Sequence, residues 1–276
     1  MNSNVQELLL ILVGSSFLTS FQILSFLSIF FLVGFSIAKM ESYRNRWIRA
    51  SVGMRGIYST AIIGVPIHEM GHVIMCKLFG HHVGEIRFIQ FGNPDGTMGY
   101  VNHSYNSKNL YHRIGMFFIG VAPIIMGISV ITLLFWALLP STFSEWWGDI
   151  VSADGFSEGL MASVGIIPSI FSKENVTGLP LYIFLFLSVS IASHMTLSQS
   201  DVKGARSGII FIFLVGILIN SFYAPHLKEV DFSSFLFNQF NVFMFSISLM
   251  AIGFSAFVTS LAFIVYRVRQ AFLRKN

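Results

Sequence analysis

Apolar residues follow one another along this chain in long unbroken runs, unlike the alternating or one-sided patterns of a soluble domain. A helix that crosses the roughly 30 Å hydrocarbon core of a bilayer needs about 20 such residues. The pattern therefore predicts an all-α polytopic membrane protein with about six transmembrane helices. The runs lie at about 6–38, 54–79, 113–139, 179–198, 207–223 and 239–266.

The connection between the second and third runs has a different pattern, with two short segments rich in β-branched and aromatic residues over 83–105. Between them lies Gly-Asn-Pro-Asp-Gly at 92–96, in which proline fixes one backbone angle and glycine accepts a positive φ. These features predict a small β-hairpin. A further apolar stretch, 159–171, is too short to span a bilayer and is predicted to lie at the membrane surface.

Composition supports the membrane assignment. The 276 residues include only 17 Lys+Arg and 13 Asp+Glu, so 11% of the chain is charged, whereas 54% is hydrophobic. A soluble domain carries about 25% charged residues, so much of this surface is expected to face the lipid bilayer. The net charge of +4 comes from basic residues at the ends of apolar runs, as membrane topology requires. It gives no reason to expect a nucleic-acid partner.

Basic residues also predict the orientation, because cytoplasmic loops carry an excess of Lys and Arg. The tail after the last run is basic, so the protein is predicted to be a multi-pass membrane protein with a cytoplasmic C-terminus. Alternation over six spans then places the loop after the first run outside, although its own basic residues favour the cytoplasm. The tail residues are Arg267, Arg269, Arg274 and Lys275, and the loop residues are Lys39, Arg44, Arg46 and Arg49.

The second apolar run contains the sequence His-Glu-Met-Gly-His at 68–72. Glu69 is the only formally charged residue between Ile57 and Cys76, and a carboxylate buried in hydrocarbon is costly enough to suggest a function. On a helix, His68 and His72 lie one turn apart on the same face, so both can bind one zinc ion while Glu69 activates a water molecule. The alternative is that these polar residues only link neighbouring helices.

A catalytic zinc ion usually has three protein ligands. Cys76 continues the helical spacing, but eight residues of helix span about 12 Å, which is too far for one ion, so Cys76 is interpreted as a small buried residue. Asp201, after the fourth run, is the preferred third ligand, although it could also be an interfacial residue paired with Lys203. His194 is the alternative ligand or a residue that contacts a ligand, and it is predicted to share a helical face with Asp201.

The remaining histidines receive simpler interpretations. His81 and His82 follow the predicted metal-binding helix and are interpreted as interfacial residues. His103 and His112 flank the hairpin and are interpreted as surface residues or as contacts to a substrate.

Together these residues resemble the site-2 protease family of intramembrane zinc metalloproteases. The resemblance follows the order of elements from about 57 to 206, and its first block is the specific one. The chain would be a divergent member, because the family's Asn and Pro before the ligand aspartate are replaced and Val-Lys-Gly follows Asp201. It would also be a compact member, because there is no room for a periplasmic PDZ domain. The matching blocks are 68–72, 76–80, 86–92, which resembles a hairpin strand of the family, 120–123 and 201–204.

The resemblance implies a single membrane-embedded metalloprotease domain over 1–276, with a catalytic core at about 54–206 and additional C-terminal helices at 207–268. It implies a zinc-dependent intramembrane metalloendopeptidase that hydrolyses membrane-protein or peptide substrates in or near their transmembrane segments.

The resemblance also implies roles for individual residues. One Zn²⁺ per chain would be bound by His68, His72 and Asp201, with Glu69 as the catalytic base. Substrate is expected along the hairpin, at Phe88, Gln90, Gly92 and Asn93.

Three other functions fit parts of the pattern. A metal-ion transporter should have several ligand-rich helices and has no special need for Glu69. A catalytically silent binding scaffold has no need to retain Glu69 either. A membrane zincin of the CAAX-processing type would use a downstream glutamate as its third ligand, but the later glutamates lie in predicted loops: Glu145, Glu158, Glu174 and Glu229.

Overall fold

A computed structural model describes residues 3–93, 96–153, 156–223 and 239–273. These residues form nine helices and one two-stranded antiparallel sheet, so the prediction of a mainly helical chain with a small hairpin after the second helix is confirmed. The helices are α1 (Ser3–Ser51), α2 (Met54–Leu78), α3 (Leu110–Leu138), α4 (Pro140–Ser152), α5 (Phe156–Ile170), α6 (Lys173–Val176), α7 (Leu179–Ala192), α8 (Gln199–Tyr223) and α9 (Gln239–Leu273), and the strands are β1 (His82–Arg87) and β2 (Tyr100–Ser104).

Four helices among the described residues are long and apolar enough to cross a membrane, namely α2, α3, α8 and α9. They indicate a membrane protein, but the prediction of six spans is not confirmed. The first predicted span has a shorter apolar part at Leu9–Leu24 within α1. The fourth corresponds to α7, whose 14 residues rise only about 21 Å.

The fourth and fifth predicted runs have different boundaries in the structure. α7 ends at Ala192 and α8 already begins at Gln199, so the predicted helix boundaries at 198 and 207 are wrong. Ser198 starts α8, because its Oγ accepts a hydrogen bond from Asp201 N–H (3.2 Å) and its N–H donates to Asp201 Oδ2 (2.7 Å). This reciprocal pattern is a capping box, and it separates His194 from the helix that carries Asp201.

The stretch 159–171 forms most of α5, which packs against α4 and α9. Ile166 and Ile170 are each 1% exposed. One face of this helix is therefore buried against its neighbours, whereas Met161 is 75% exposed, and its location at the membrane surface stays a prediction.

α3 contributes a long buried face to the core. Ile124, Ile131 and Phe135 are all completely buried, and the ring of Phe135 lies 5.6 Å from that of Phe184 in α7. α3 also packs against α2 and α8, so these three helices form the group that carries the site described below.

The ends of α1 and α9 lie together. Arg269 Nη1 donates hydrogen bonds of 2.5 Å to the carbonyl oxygens of Ala50 and Ser51. The basic loop after the first predicted span is therefore close to the basic end of α9, whereas alternation over six spans predicts opposite sides.

The hairpin runs back along α2. In β1 and β2, His82 pairs with Ser104 and Arg87 with Tyr100, and a bulge lies between Val83 and Ile86. Beyond the strands, Gly92 N–H donates to Tyr58 Oη near the start of α2 (3.3 Å). The hairpin thus extends from one end of α2 towards the other.

The residues on either side of the predicted hairpin turn, Asn93 and Gly96, are arranged as the prediction requires. Gly96 N–H donates to Asn93 O (3.1 Å), which is the hydrogen bond of a four-residue turn. Pro94 and Asp95 of the predicted turn lie outside the described residues.

Candidate metal centre

Three predicted ligands meet where α2 faces the first turn of α8. The Nε2 atoms of His68 and His72 are 3.3 Å apart, and Asp201 Oδ1 lies 3.4 Å from His72 Nε2. The donor atoms of all three residues lie within 4.8 Å of one another. The structure therefore brings together residues that lie far apart in the sequence.

Backbone carbonyl groups orient both imidazole rings. His68 Nδ1 lies 2.8 Å from His194 O, and His72 Nδ1 lies 2.9 Å from Ile119 O. Because a carbonyl oxygen only accepts hydrogen bonds, each Nδ1 carries the proton and each neutral ring has its lone pair at Nε2. The two lone pairs consequently face each other across 3.3 Å.

This arrangement fits a cation better than it fits a hydrogen bond, since neither Nε2 atom has a proton to donate. Tetrahedral zinc with bonds of about 2.0 Å to nitrogen holds its ligand atoms about 3.3 Å apart. In the structure these separations are 3.3 Å and 3.4 Å. A carbonyl group that holds the other ring nitrogen is also the usual surrounding of a metal-binding histidine. The residues present therefore fit a zinc ion with three protein ligands.

Asp201 reaches this position because α8 approaches α3 very closely. A Cβ atom on Gly120 would collide with the main-chain carbonyl oxygen of Asp201 and would lie 2.7 Å from Ala205 N. The hydrogen bond from Ser198 N–H occupies Oδ2, while Oδ1 faces His72. The Asp201 side chain is 13% exposed, so it lies in the interior of the site.

We expect Gly120→Ala to weaken metal binding although it changes no ligand. The added methyl group would push against the main chain of α8, so Asp201 should move away from His72, and metal affinity should fall about 10–100-fold, as when a supporting contact is lost. Competition against a chromogenic chelator measures this affinity. Gly165→Ala in α5 is the control, since its Cβ would have no atom within 4 Å. Equal affinity in Gly120→Ala and wild type would contradict the prediction.

Glu69 lies beside these ligands and is 5% exposed. It lines a cavity of about 630 Å³ together with His68, His72, Asp201 and residues 96–103 of the hairpin. The cavity therefore combines a carboxylate with the three possible metal ligands.

The second half of the hairpin lies directly against Glu69. A Cβ atom on Gly99 would be 2.8 Å from Glu69 Cγ and 2.9 Å from Oε1. A side chain at this position would occupy the space of the carboxylate, so only glycine allows this approach.

The predicted substrate contacts Phe88, Gln90, Gly92 and Asn93 do not line this cavity. They belong to the first half of the hairpin, where Phe88 is 41% exposed. In the sequence, both halves of the hairpin have the same pattern of β-branched and aromatic residues, so the pattern does not show which half lies near the site. Only the packing against α2 places the second half, and not the first, next to the candidate metal ligands.

The side chain of His194 is directed away from the group of ligands. Its Nε2 lies 3.1 Å from Thr60 Oγ1, and its main-chain carbonyl makes the contact to His68. His194 therefore supports the site through its backbone.

Arg44 holds the connection that carries His194. It is 2% exposed, and its Nη2 donates to Ser193 O (2.7 Å) while its Nη1 donates to Ser255 Oγ (3.3 Å). In the sequence, Arg44 resembles the basic residues that commonly flank a membrane-spanning segment. The sequence alone therefore does not indicate that it is buried and holds the connection before α8.

The later glutamates take no part in the cavity as far as the structure describes the chain. Glu145, Glu158 and Glu174 belong to α4, α5 and α6, and none of them lines it. Glu229 lies outside the described residues.

Part of the chain matches the model of a known protein family. The family model described as "Putative zincin peptidase" matches residues 61–157, a range that contains the His68–His72 motif, the hairpin, α3 and α4. No curated protein and no solved structure matches the chain. Over residues 61–157 the chain is therefore similar to a family of zinc peptidases, which supports a zinc-dependent metallopeptidase.

Proposed function

We propose that this protein is an intramembrane zinc metalloendopeptidase that hydrolyses membrane-protein or peptide substrates in or near their transmembrane segments. We further propose that it is a divergent relative of the site-2 proteases. The main support is the convergence of the His68 and His72 lone pairs at 3.3 Å. This convergence lies on a helix long and apolar enough to span a membrane.

In this proposal His68, His72 and Asp201 are the three protein ligands of one zinc ion. When bound, zinc would supply Lewis-acid chemistry that makes water a better nucleophile at about pH 7 and polarises the scissile carbonyl group. Glu69 would accept a proton from the attacking water as the new C–O bond forms. Glu69 then delivers the proton to the leaving amine nitrogen as the C–N bond breaks.

The second strand of the hairpin is the proposed substrate-binding edge. Lipid offers no hydrogen-bond partners, so an unwound substrate needs them from the protein. Within the described residues the sheet has two strands, which leaves β2 an outer edge without a strand partner. A substrate strand added at this edge would lie in the cavity lined by residues 96–103 and Glu69.

We expect Gly99→Ala to reduce peptide hydrolysis about 100-fold, the cost of a displacement of about 1 Å at a reacting group, while the zinc content stays the same. The added methyl group would displace Glu69, which is not a metal ligand. Gly84→Ala in β1 is the matched control, because its Cβ would meet Asn102 O at an ordinary 3.4 Å. Wild-type turnover in Gly99→Ala would refute the placement of this strand beside the base.

The orientation follows from the shared basic ends of α1 and α9. Arg269 contacts the end of α1, and these ends also carry Arg46, Arg49 and Arg267. Because such clusters stay in the cytoplasm, we propose that both helices end there.

The proposed function is tested with the full chain in proteoliposomes that contain single-span substrates. New peptide termini inside the hydrophobic segment, lost after chelation and restored by zinc, are the expected result. Zinc uptake into the vesicles without cleavage would instead favour the transporter. Binding of the substrates with neither cleavage nor uptake would favour the silent scaffold.

A further inference from the structure

A second group of metal-binding side chains lies where α2 joins the hairpin. Cys76 is in the last turns of α2, His81 lies between α2 and β1, and His103 is on β2. Their donor atoms all lie within 4.8 Å of one another. Cys76 and His81 are 0% and 5% exposed, whereas His103 is half-buried, so the group lies at the inner side of the hairpin.

The hydrogen bonds of His81 determine which of its nitrogen atoms is free. His81 Nε2 lies 2.9 Å from His112 O, so this nitrogen carries the proton and Nδ1 has the lone pair in the neutral ring. Nδ1 in turn lies 3.1 Å from His103 Nδ1. The lone pair is thus directed at the second histidine of the group.

The ring of His81 is also fixed by packing. It stacks on Tyr105 with centroids 4.8 Å apart and an interplanar angle of 14°. The carbonyl contact, the stacking and the burial together hold Nδ1 in a position to act as a ligand.

We propose that Cys76, His81 and His103 bind a second zinc ion, which fastens the hairpin to the end of α2. Thiolate sulfur and imidazole nitrogen are preferred zinc ligands, and in a tetrahedral site two nitrogen ligands lie about 3.3 Å apart. The two Nδ1 atoms lie 3.1 Å apart. On binding, the Cys76 thiol releases its proton to solvent, and a water molecule takes the fourth position.

The second ion has a direct consequence for the cavity. His103 belongs to β2 and also lines the cavity that contains Glu69. An ion held by Cys76 and His103 would connect β2 to the helix that carries His68 and His72. This consequence for catalysis rests on the proposed function, whereas the binding of the ion does not.

The competing interpretation is a simple hydrogen bond from His103 Nδ1–H to His81 Nδ1 beside an inert thiol. It requires no metal. Cobalt separates the two interpretations, because a thiolate ligand gives Co²⁺ an intense charge-transfer absorption that histidine and carboxylate ligands do not give. The sequence contains one cysteine, so such a band reports on Cys76 alone.

The experiment adds Co²⁺ to the metal-free full chain in detergent and records bound ions and absorption. We expect two ions per chain and a thiolate band in wild type. In Cys76→Ser we expect one bound ion and no thiolate band. In His81→Ala we expect one bound ion and a thiolate band that is lost or weakened relative to wild type. His72→Ala should lose the other ion and keep the band. His82→Ala, which replaces an exposed neighbour outside the group, is the control and should keep both ions.

Wild-type protein that binds Co²⁺ without a thiolate band would overturn the second site, and this outcome needs no variant to fold. A thiolate band in a chain that shows no peptidase activity would instead overturn the proposed function and leave the second site standing. Circular dichroism and size-exclusion chromatography of Cys76→Ser establish that its loss of the band is local.

Discussion

Glu69→Gln is expected to lower peptide hydrolysis by about 10²–10⁴-fold, the usual contribution of a general acid–base group. The glutamine side chain has nearly the same shape, but it cannot accept the proton of the attacking water or return it to the leaving amine. Because Glu69 lies next to the ligands and is not one of them, the metal content should remain at the wild-type value. The measurements are turnover of a reconstituted single-span substrate and metal analysis of the same sample.

Glu145→Gln provides the matched control for this change. It is the same substitution at an exposed position of α4, and turnover should be unaffected. Full activity in Glu69→Gln would remove the proposed base. Loss of both metal and activity would show that Glu69 helps to hold the ion, and the mechanism would have to be assigned differently.

Asp201→Ala is expected to remove one metal ion per chain and abolish hydrolysis. The loss of a ligand should reduce metal affinity more than the roughly 10–100-fold that accompanies loss of a supporting contact. Without Asp201 the two lone pairs of His68 and His72 would be the only protein ligands that remain. Metal affinity is measured by competition with a chelator, and hydrolysis with the reconstituted substrate.

The comparison variant is His194→Gln, because His194 is the alternative third ligand. Its side chain contacts Thr60, while its main-chain carbonyl holds His68. We therefore expect metal affinity to fall by no more than about tenfold, at the lower limit for an outer contact. The opposite order, with a greater loss in His194→Gln than in Asp201→Ala, would make His194 the ligand.

The helices and the first part of the site could be predicted from local sequence. Runs of about 20 apolar residues indicate membrane-spanning helices, and α2 and α3 agree with this reading to within a few residues. His68, Glu69 and His72 lie within five residues of one helix, so the helical period alone places the two histidines on one face. Both the helices and the pairing of His68 with His72 on one face follow from the spacing of residues within a single helix.

The boundaries of α7 and α8 depended on a detail that apolar runs do not contain. The capping box between Ser198 and Asp201 starts α8 eight residues before the predicted boundary at 207. A side-chain hydrogen bond to the backbone outweighs hydropathy in setting where a helix begins. Asp201 therefore lies in the first turn of α8 and not at the end of α7.

Apolar runs along the sequence indicate a membrane protein, and the spacing of His68 and His72 predicts a metal-binding motif on its second helix. Both conclusions need only the order and spacing of residues within one helix. Packing between elements places the second half of the hairpin against Glu69. The same packing brings Asp201 opposite His72 and Cys76 close to His81 and His103. Each of these contacts joins different elements, and their distances depend on how closely the helices pack at glycines such as Gly120.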